Sequence, residues 1–222
     1  MESGIQSAVQ KFIQNLIKAD TEEIEKYAAE ITMNSEFHNG LEEKRSKLGR
    51  GSYFSWGLGI GTRLGTVLYV LCRKLRPDAV VETGVASGVS SAYFLCALEE
   101  NKHGELYSID LPWQQTAVPK ERQNGWIIPD YLRHRWQLIL GRSSRRLAPL
   151  LEELGEIDIF LHDSEHSYEN MLWEFQTAWA HLKTGGILLS HNIDMNDAFS
   201  DFCRGVGGDG FLLANMGAIL KV

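Results

Sequence analysis

Residues 79–91, Ala-Val-Val-Glu-Thr-Gly-Val-Ala-Ser-Gly-Val-Ser-Ser, constrain the fold more than any other stretch of the chain. Val80 and Val81 form a short β-branched run that reads as a buried strand. The run breaks at Gly84 and Gly88, and an apolar, helix-like stretch follows from Ala92 to Leu98. Strand, glycine turn and helix together open an α/β nucleotide-binding unit. The glycines let the backbone approach a ligand that a side chain would hold off. The start of the helix turns its free N–H groups to the same point.

The spacing narrows the ligand. G-x-x-x-G is neither the G-x-G-x-x-G dinucleotide fingerprint nor a phosphate loop, which needs a lysine. An acid, Glu82, ends the strand, where it repels phosphate and suits a cation. The pattern Glu-x-Gly-x-x-x-Gly-x-Ser resembles motif I of the class I S-adenosylmethionine (SAM) methyltransferases. SAM carries an amino group and a sulfonium but no phosphate, so the resemblance accounts for the missing lysine. Taken alone, the same residues also fit a glycine-rich structural turn.

Composition sets bounds. A chain of 222 residues reads as one domain with extensions. Its net charge of −7 argues against a general nucleic-acid binder. The first residues include Glu2 and lack the apolar core of a signal peptide. The longest apolar stretch, Leu64 to Cys72, is too short to span a bilayer. Cys72, Cys96 and Cys203 are too few and too scattered for a disulfide framework, and a reduced, cytoplasmic setting is the simplest expectation.

Ile5, Val9, Phe12, Ile13, Leu16 and Ile17 recur at helical spacing. Asp20, with Glu23 three residues on, is placed to cap a second helix through Ile31. These helices either pack on the flank of the sheet or roof a pocket. Residues 34–61 are polar and rich in glycine and read as a mobile loop, either a lid presenting Tyr53, Phe54 and Trp56 or a plain connection. The division expected is therefore an N-terminal segment, 1–61, and a cofactor-binding unit, 62–222. A helix over 62–76 ends in Arg73, Lys74 and Arg76 and is stopped by Pro77.

Leu106 to Asp110 reads as the second strand. Asp110 falls about 20 residues after the glycine turn, where an acid accepts hydrogen bonds from ribose hydroxyls, although a turn or capping aspartate is the plainer alternative. Residues 111–130 form a long insertion whose Trp113 and Trp126 either line a pocket or staple the loop to the body. Strands follow at 136–140, 157–161 and 187–190, with helices at 147–155 and 171–182 and around Phe199 and Phe202. Two apolar pieces, 211–213 and 217–222, close the chain. This alternation predicts an α/β, Rossmann-like, doubly wound and mostly parallel seven-stranded sheet, with an antiparallel terminal strand pair and an N-terminal helical extension. Arg133, Arg135, Arg142, Arg145 and Arg146 form a basic cluster that either grips an anionic substrate or is a solvated face.

The segment His162-Asp-Ser-Glu-His-Ser-Tyr168 is the densest run of titratable groups. Together with Glu-Thr-Gly-Val-Ala-Ser-Gly and Thr184-Gly-Gly-Ile-Leu, it resembles the small-molecule O-methyltransferases, including the catechol-type enzymes and methyltransferase family 24. The resemblance covers about Arg76 to Val222. It implies that Glu82, Gly84, Ala86, Ser87 and Ser90 surround the methionine part of SAM, that Asp110 and Leu111 hold the ribose, and that Gly141, Arg142, Ser143 and Ser144 border adenine. Asp163 would lie near the sulfonium, and His166 would occupy the position of the base that deprotonates the acceptor. The catechol-type enzymes bind a divalent metal with this aspartate and an Asp-Asn pair after the fifth strand; here that pair is His191-Asn192. Asp163, His191 and Asn192 would suit manganese, iron, nickel or zinc better than magnesium. The alternatives are a site without metal, with His191 a second base, or a buried histidine satisfied by a backbone carbonyl. His162 points away from Asp163 along the strand and stays outside the site.

The function expected is SAM-dependent methyl transfer to a hydroxyl of a small-molecule acceptor, catalysed through His166, His191 and Asp163. A nucleic-acid or membrane partner is not expected, and analogy alone suggests a homodimer. The competing readings are an NAD-using Rossmann enzyme, disfavoured by its glycine spacing, and a SAM-binding module without catalysis. A third, methylation of nucleic acid or protein, lacks the Asn-Pro-Pro-Tyr type of motif.

Overall fold

The structure is a computed structural model and describes residues 2–46, 62–112 and 123–222. Four helices come first: α1 (Glu2–Ile17), α2 (Thr21–Met33), α3 (Ser35–Ser46) and α4 (Thr62–Leu75). The remainder alternates: β1 (Ala79–Thr83), α5 (Val89–Asn101), β2 (Glu105–Asp110), β3 (Trp136–Leu140), α6 (Ser143–Leu154), β4 (Ile157–His162), α7 (Tyr168–His181), β5 (Leu182–Ser190), α8 (Ala198–Val206), β6 (Phe211–Leu213) and β7 (Met216–Leu220). The seven strands run in the order β3-β2-β1-β4-β5-β7-β6. The first five are parallel, and β7 pairs antiparallel with both β5 and β6. This is the doubly wound sheet with an antiparallel terminal pair that the alternation predicts.

Strand alternation sorts the core into two layers. Val80, Leu106, Ile159, Leu161, Ile187 and Leu189 face α4 and α5, with α1, α2 and Phe37 of α3 completing the cluster. Val81, Ile109, Phe160 and Leu188 face the other way, onto Leu147, Leu151, Met171, Phe175, Phe199 and Phe202 of α6, α7 and α8. Helix α5 has no solvent face over most of its length: every residue from Ser90 to Leu98 is buried. The N-terminal helices are tied on by more than apolar contact. Arg73 of α4 meets both carboxylate oxygens of Glu30 in α2, at 2.6 and 3.1 Å, and lies over the Tyr27 ring. Asp20 caps α2 as expected, accepting from the Glu22 N–H at 3.3 Å. Among the described residues no helix is long and apolar enough to cross a membrane.

One expectation needs correction. Residues 35–46, read as part of a mobile loop, form α3. Asn34 starts it by accepting from the Phe37 N–H at 2.9 Å. Gly40 lies within this helix, and a Cβ there would come within 3.1 Å of the Pro129 ring. Lys44 fastens the other end to Asp130 at 2.6 Å. The rest of the proposed lid, with Tyr53, Phe54 and Trp56, lies outside the described residues, as does Trp113.

The strand ends are drawn together by backbone alone. Gly84 N donates to Ile109 O (2.9 Å), Asp163 N to Thr83 O (2.8 Å), Gly141 N to Asp110 O (2.8 Å) and His191 N to His162 O (2.9 Å). These bonds extend the parallel ladder one residue past each strand and line up the residues that leave it. At Gly84, φ is +85° and a Cβ would lie 2.0 Å from the Asp163 carbonyl oxygen. Neither condition tolerates a side chain. Gly84→Ala is therefore expected to lose stability by at least the ~1–2 kcal/mol of left-handed backbone strain, plus the displacement of the end of β4. Chemical denaturation of the variant beside Gly185→Ala, where φ is +84° but nothing stands within 4 Å of the Cβ, separates the two costs; equal losses would remove the close approach as a cause.

Candidate active site

A cleft of about 570 Å³ opens at the carboxyl ends of β1, β2, β3 and β4, lined among others by Gly84, Ala86, Asp110, Leu111, Asn124, Arg142 and Asp163. Ligands bind in this crevice of an open α/β sheet, where the strand order reverses. Of the residues expected at a cofactor, Gly84, Ala86, Asp110, Leu111, Gly141, Arg142, Ser143, Ser144 and Asp163 all line it. Glu82, Ser87 and Ser90 do not: they are buried behind the loop.

Glu82 shows why. Its side chain leaves β1 toward α5 and accepts hydrogen bonds from Ser90 Oγ (2.9 Å), Ser91 Oγ and Ser108 Oγ (2.7 Å). Trp136 Nε1 in turn donates to Ser108 Oγ at 2.8 Å. Ser90 is thus a Glu82 partner rather than a wall of the cleft. Desolvation raises the Glu82 carboxyl to about 7, with the three hydroxyls working in the opposite direction.

Asp110 fastens the glycine loop. Its Oδ2 accepts from Val85 N (3.1 Å), Ala86 N (2.9 Å) and Asn124 Nδ2 (2.6 Å), and its Oδ1 from Leu111 N (2.8 Å). The turn at 123–128 clamps the same loop from outside: Gly125 N donates to Ala86 O and Ile127 N to Ser87 O. Of the two readings of the 111–130 insertion, its described end acts as a staple, and Asn124 brings it into the cleft. Sequence reasoning missed Asn124, Ser91 and Ser108. The alternation of β2 carried a signal only for Ser108, which faces Glu82 in register.

At the end of β4, Asp163 gathers two histidines. His191 Nδ1 lies 2.9 Å from Asp163 Oδ1, and His166 Nε2 lies 3.5 Å from the same oxygen. Burial pushes the Asp163 carboxyl up, but the two histidines outweigh it and hold it below its ordinary value. Asn215 Nδ2 donates to His191 Nε2 (3.0 Å) and to Asn192 Oδ1 (2.8 Å). That assignment puts the proton of a neutral His191 on Nδ1, where it donates to Asp163. Both nitrogens of His191 are therefore engaged, whereas His166 Nε2 makes no hydrogen bond.

The ligand atoms of Asp163, His166 and His191 lie within 4.8 Å of one another. One carboxylate and two imidazoles fit a borderline divalent ion. Asp163 and His191 belong to the set expected from sequence and His166 joins them, while the Asn192 amide oxygen accepts from Asn215.

His162 lies under the cleft rather than in it. It is fully buried, its Nδ1 is 2.7 Å from Glu174 Oε2, and its ring meets that of His166 edge-on at 5.4 Å. Thr83 Oγ1, Ser164 Oγ (2.8 Å), Asn170 Nδ2 (3.1 Å) and Ser143 join the shell around Glu174.

A raised carboxyl pKa has a definite sign in stability. Glu82 ionises at an ordinary value near 4.5 when unfolded and at about 7 when folded. Its contribution is fully present below pH 4.5, falls as pH rises through 7, and is lost above that, a change of roughly 3 kcal/mol. Urea denaturation of the protein and of Glu82→Gln at pH 5 and pH 8 is expected to show the gap between them shift by that amount in the variant's favour at pH 8; a pH-independent gap would mean that Glu82 does not titrate in this range.

Comparison with known proteins places this geometry. The family profile described as "Methyltransferase domain" (family 24) matches residues 81–193, half of the chain. Among solved structures, the SAH-bound methyltransferase PaMTH1 of Podospora anserina superposes with a TM-score of 0.60 at 18% identity, over 86% of this chain and 89% of that one. The O-methyltransferase TomG of Streptomyces achromogenes, involved in tomaymycin synthesis and solved with SAM, gives 0.61 at 15% identity over 85% and 91%. An O-methyltransferase of Bacillus cereus in complex with SAH gives 0.58 at 13% identity over 96% and 97%. No curated protein matches the sequence significantly. The profile begins inside β1, spans the glycine loop, Asp110 and the Asp163–His166 segment, and ends just past His191: the chain belongs to the methyltransferase-domain family.

Proposed function

We propose that this chain is a SAM-dependent O-methyltransferase acting on a small molecule, with His166 as the general base. One observation carries the assignment of the base. His166 Nε2 lies buried 3.5 Å from Asp163 Oδ1 without a hydrogen-bond partner, behind the cleft lining that Asp163 shares, while Asp163 and Asn215 engage both nitrogens of His191. A base needs a nitrogen lone pair that is not already committed to a donor. His191 then serves to orient Asp163, and is the second candidate base only if Asn215 releases it.

The cofactor reading rests on the lining of the cleft and on the SAM and SAH held by the structural neighbours. Gly84 and Ala86 would face the methionine part, Asp110 and Leu111 the ribose, and Gly141 to Ser144 the adenine. Glu82, Ser87 and Ser90 support the loop from behind. The ionised Asp163 would stand near the sulfonium, an opposite charge to a cationic cofactor. In this scheme residues 62–222 bind the cofactor and residues 1–61 extend that unit.

The chemistry asks little covalent work of the protein. SAM, when bound, would supply an activated methyl group, and the chain's part would be to hold the acceptor hydroxyl in line with it and take the hydroxyl proton on His166. Holding acceptor and methyl in that geometry contributes on the order of 7–11 kcal/mol, and proton removal ~10²–10⁴-fold in rate. If a divalent ion is used, Asp163, His166 and His191 would hold it, and it would lower the pKa of the acceptor hydroxyl.

His166→Ala is expected to leave calorimetric binding of SAH unchanged and to lower methyl transfer from labelled SAM, across a panel of phenols and catechols, by ~10²–10⁴-fold. SAH that fails to bind the unaltered protein would overturn the cofactor assignment. Transfer undiminished in the variant would remove His166 from the role of base.

A further inference from the structure

Glu174 sits in the middle of α7 with no solvent exposure, where a carboxylate survives only if it is well paired. Burial works to raise its pKa, but His162 and the surrounding donors outweigh that and hold it below its ordinary value. The donors come from separate parts of the fold. Thr83 is the last residue of β1, His162 the last of β4, Ser164 lies within the segment that joins β4 to α7, and Asn170 in the first turn of α7. Asn170 also donates to Ser164 Oγ (3.3 Å) and to Glu165 O (2.9 Å). The segment so fixed, 163–167, carries Asp163 and His166. Its other holds are Asp163 N on Thr83 O (2.8 Å), His191 on Asp163 Oδ1 (2.9 Å), Asn196 on His166 O (3.0 Å) and Ser167, which caps α7.

From this we infer that Glu174 is a positioning residue for methyl transfer: it anchors the 163–167 segment from beneath and, through His162, sets the ring of His166. The inference rests on His166 being the base. Glu174 does not line the cleft and touches no part of an acceptor, so its effect passes entirely through its partners. Such support matters because a base displaced by about half an ångström loses its productive geometry. Glutamine has the same shape, but its amide would set N–H donors against hydroxyl and imidazole donors on one side.

The test uses the full chain with SAH as ligand, since neither requires a known acceptor. In Glu174→Gln, amide hydrogen exchange across 163–167 is expected to rise about tenfold, the loss of one charged hydrogen bond. Exchange in β2 stays within twofold. A merely structural role would raise exchange in both places together. Glu174→Asp, which keeps the charge, is expected to recover part of the protection. Equal exchange in the protein and a folded Glu174→Gln would overturn the positioning role, as would a rise spread evenly over the sheet. If Glu174→Gln does not fold, Thr83→Val removes a single donor, and the absence of any rise at 163–167 in that variant overturns it equally. Failure of the underlying reading shows separately: His166→Ala would then keep its methyl transfer while the exchange results stand.

Discussion

The meeting of Gly84 with the Asp163 carbonyl is the contact on which the rest of the site depends. Two parallel strands, β1 and β4, separate at this point, and the crevice between their continuations is where a ligand fits. With a hydrogen in place of a side chain, the two backbones pass close enough for Asp163 N to reach Thr83 O. The glycine loop can then fold toward Asp110 while the 163–167 segment folds toward α7. Each half of the cleft is thus built outward from one backbone crossing.

Beyond that crossing, the sheet is held by carboxylates on both faces. Glu82 and Thr83 are successive residues of β1, so their side chains leave in opposite directions. Glu82 collects three serine hydroxyls beneath α5, and Thr83 donates to Glu174 beneath α7. Apolar packing alone would leave the strand ends free to slide. Directed hydrogen bonds to a buried carboxylate cost desolvation, which the Glu82 pKa records, but they fix which atoms meet. The two faces respond differently: imidazole pairing keeps Glu174 ionised, whereas hydroxyls alone leave Glu82 near neutrality.

What could be read from sequence followed from local signals. Val80-Val81 with its glycines, Asp110 at its spacing, the Asp163–His166 run and the alternation of strands and helices each sit within a short window, and the strand order follows from how such units connect. What escaped reading depends on partners far away in the chain. Glu174 lies on a helix whose neighbours, Trp173 and Phe175, suggest only packing, and its partner Thr83 is 91 residues distant. Asn215 looks like a turn residue until β7 brings it to His191. Helix α3 was hidden by the polar, glycine-rich composition of its run, in which Gly40 sits close against Pro129. The approach of His166 to Asp163 and His191 has the same origin, since it is made by tertiary structure alone.

Helix α5 carries a consequence of another kind. It begins at the glycine loop and runs beneath the N-terminal helices with no residue from Ser90 to Leu98 open to water. Tyr93 illustrates the fit, its ring edge-on to Phe37 of α3 at 5.0 Å and pressed against Gly65 of α4. Such a helix offers no neutral surface on which substitutions can accumulate singly. A change of volume on α5 therefore has to be met by a matching change in the helices packed on it, so the coat of the protein and the helix behind its glycine loop are constrained together.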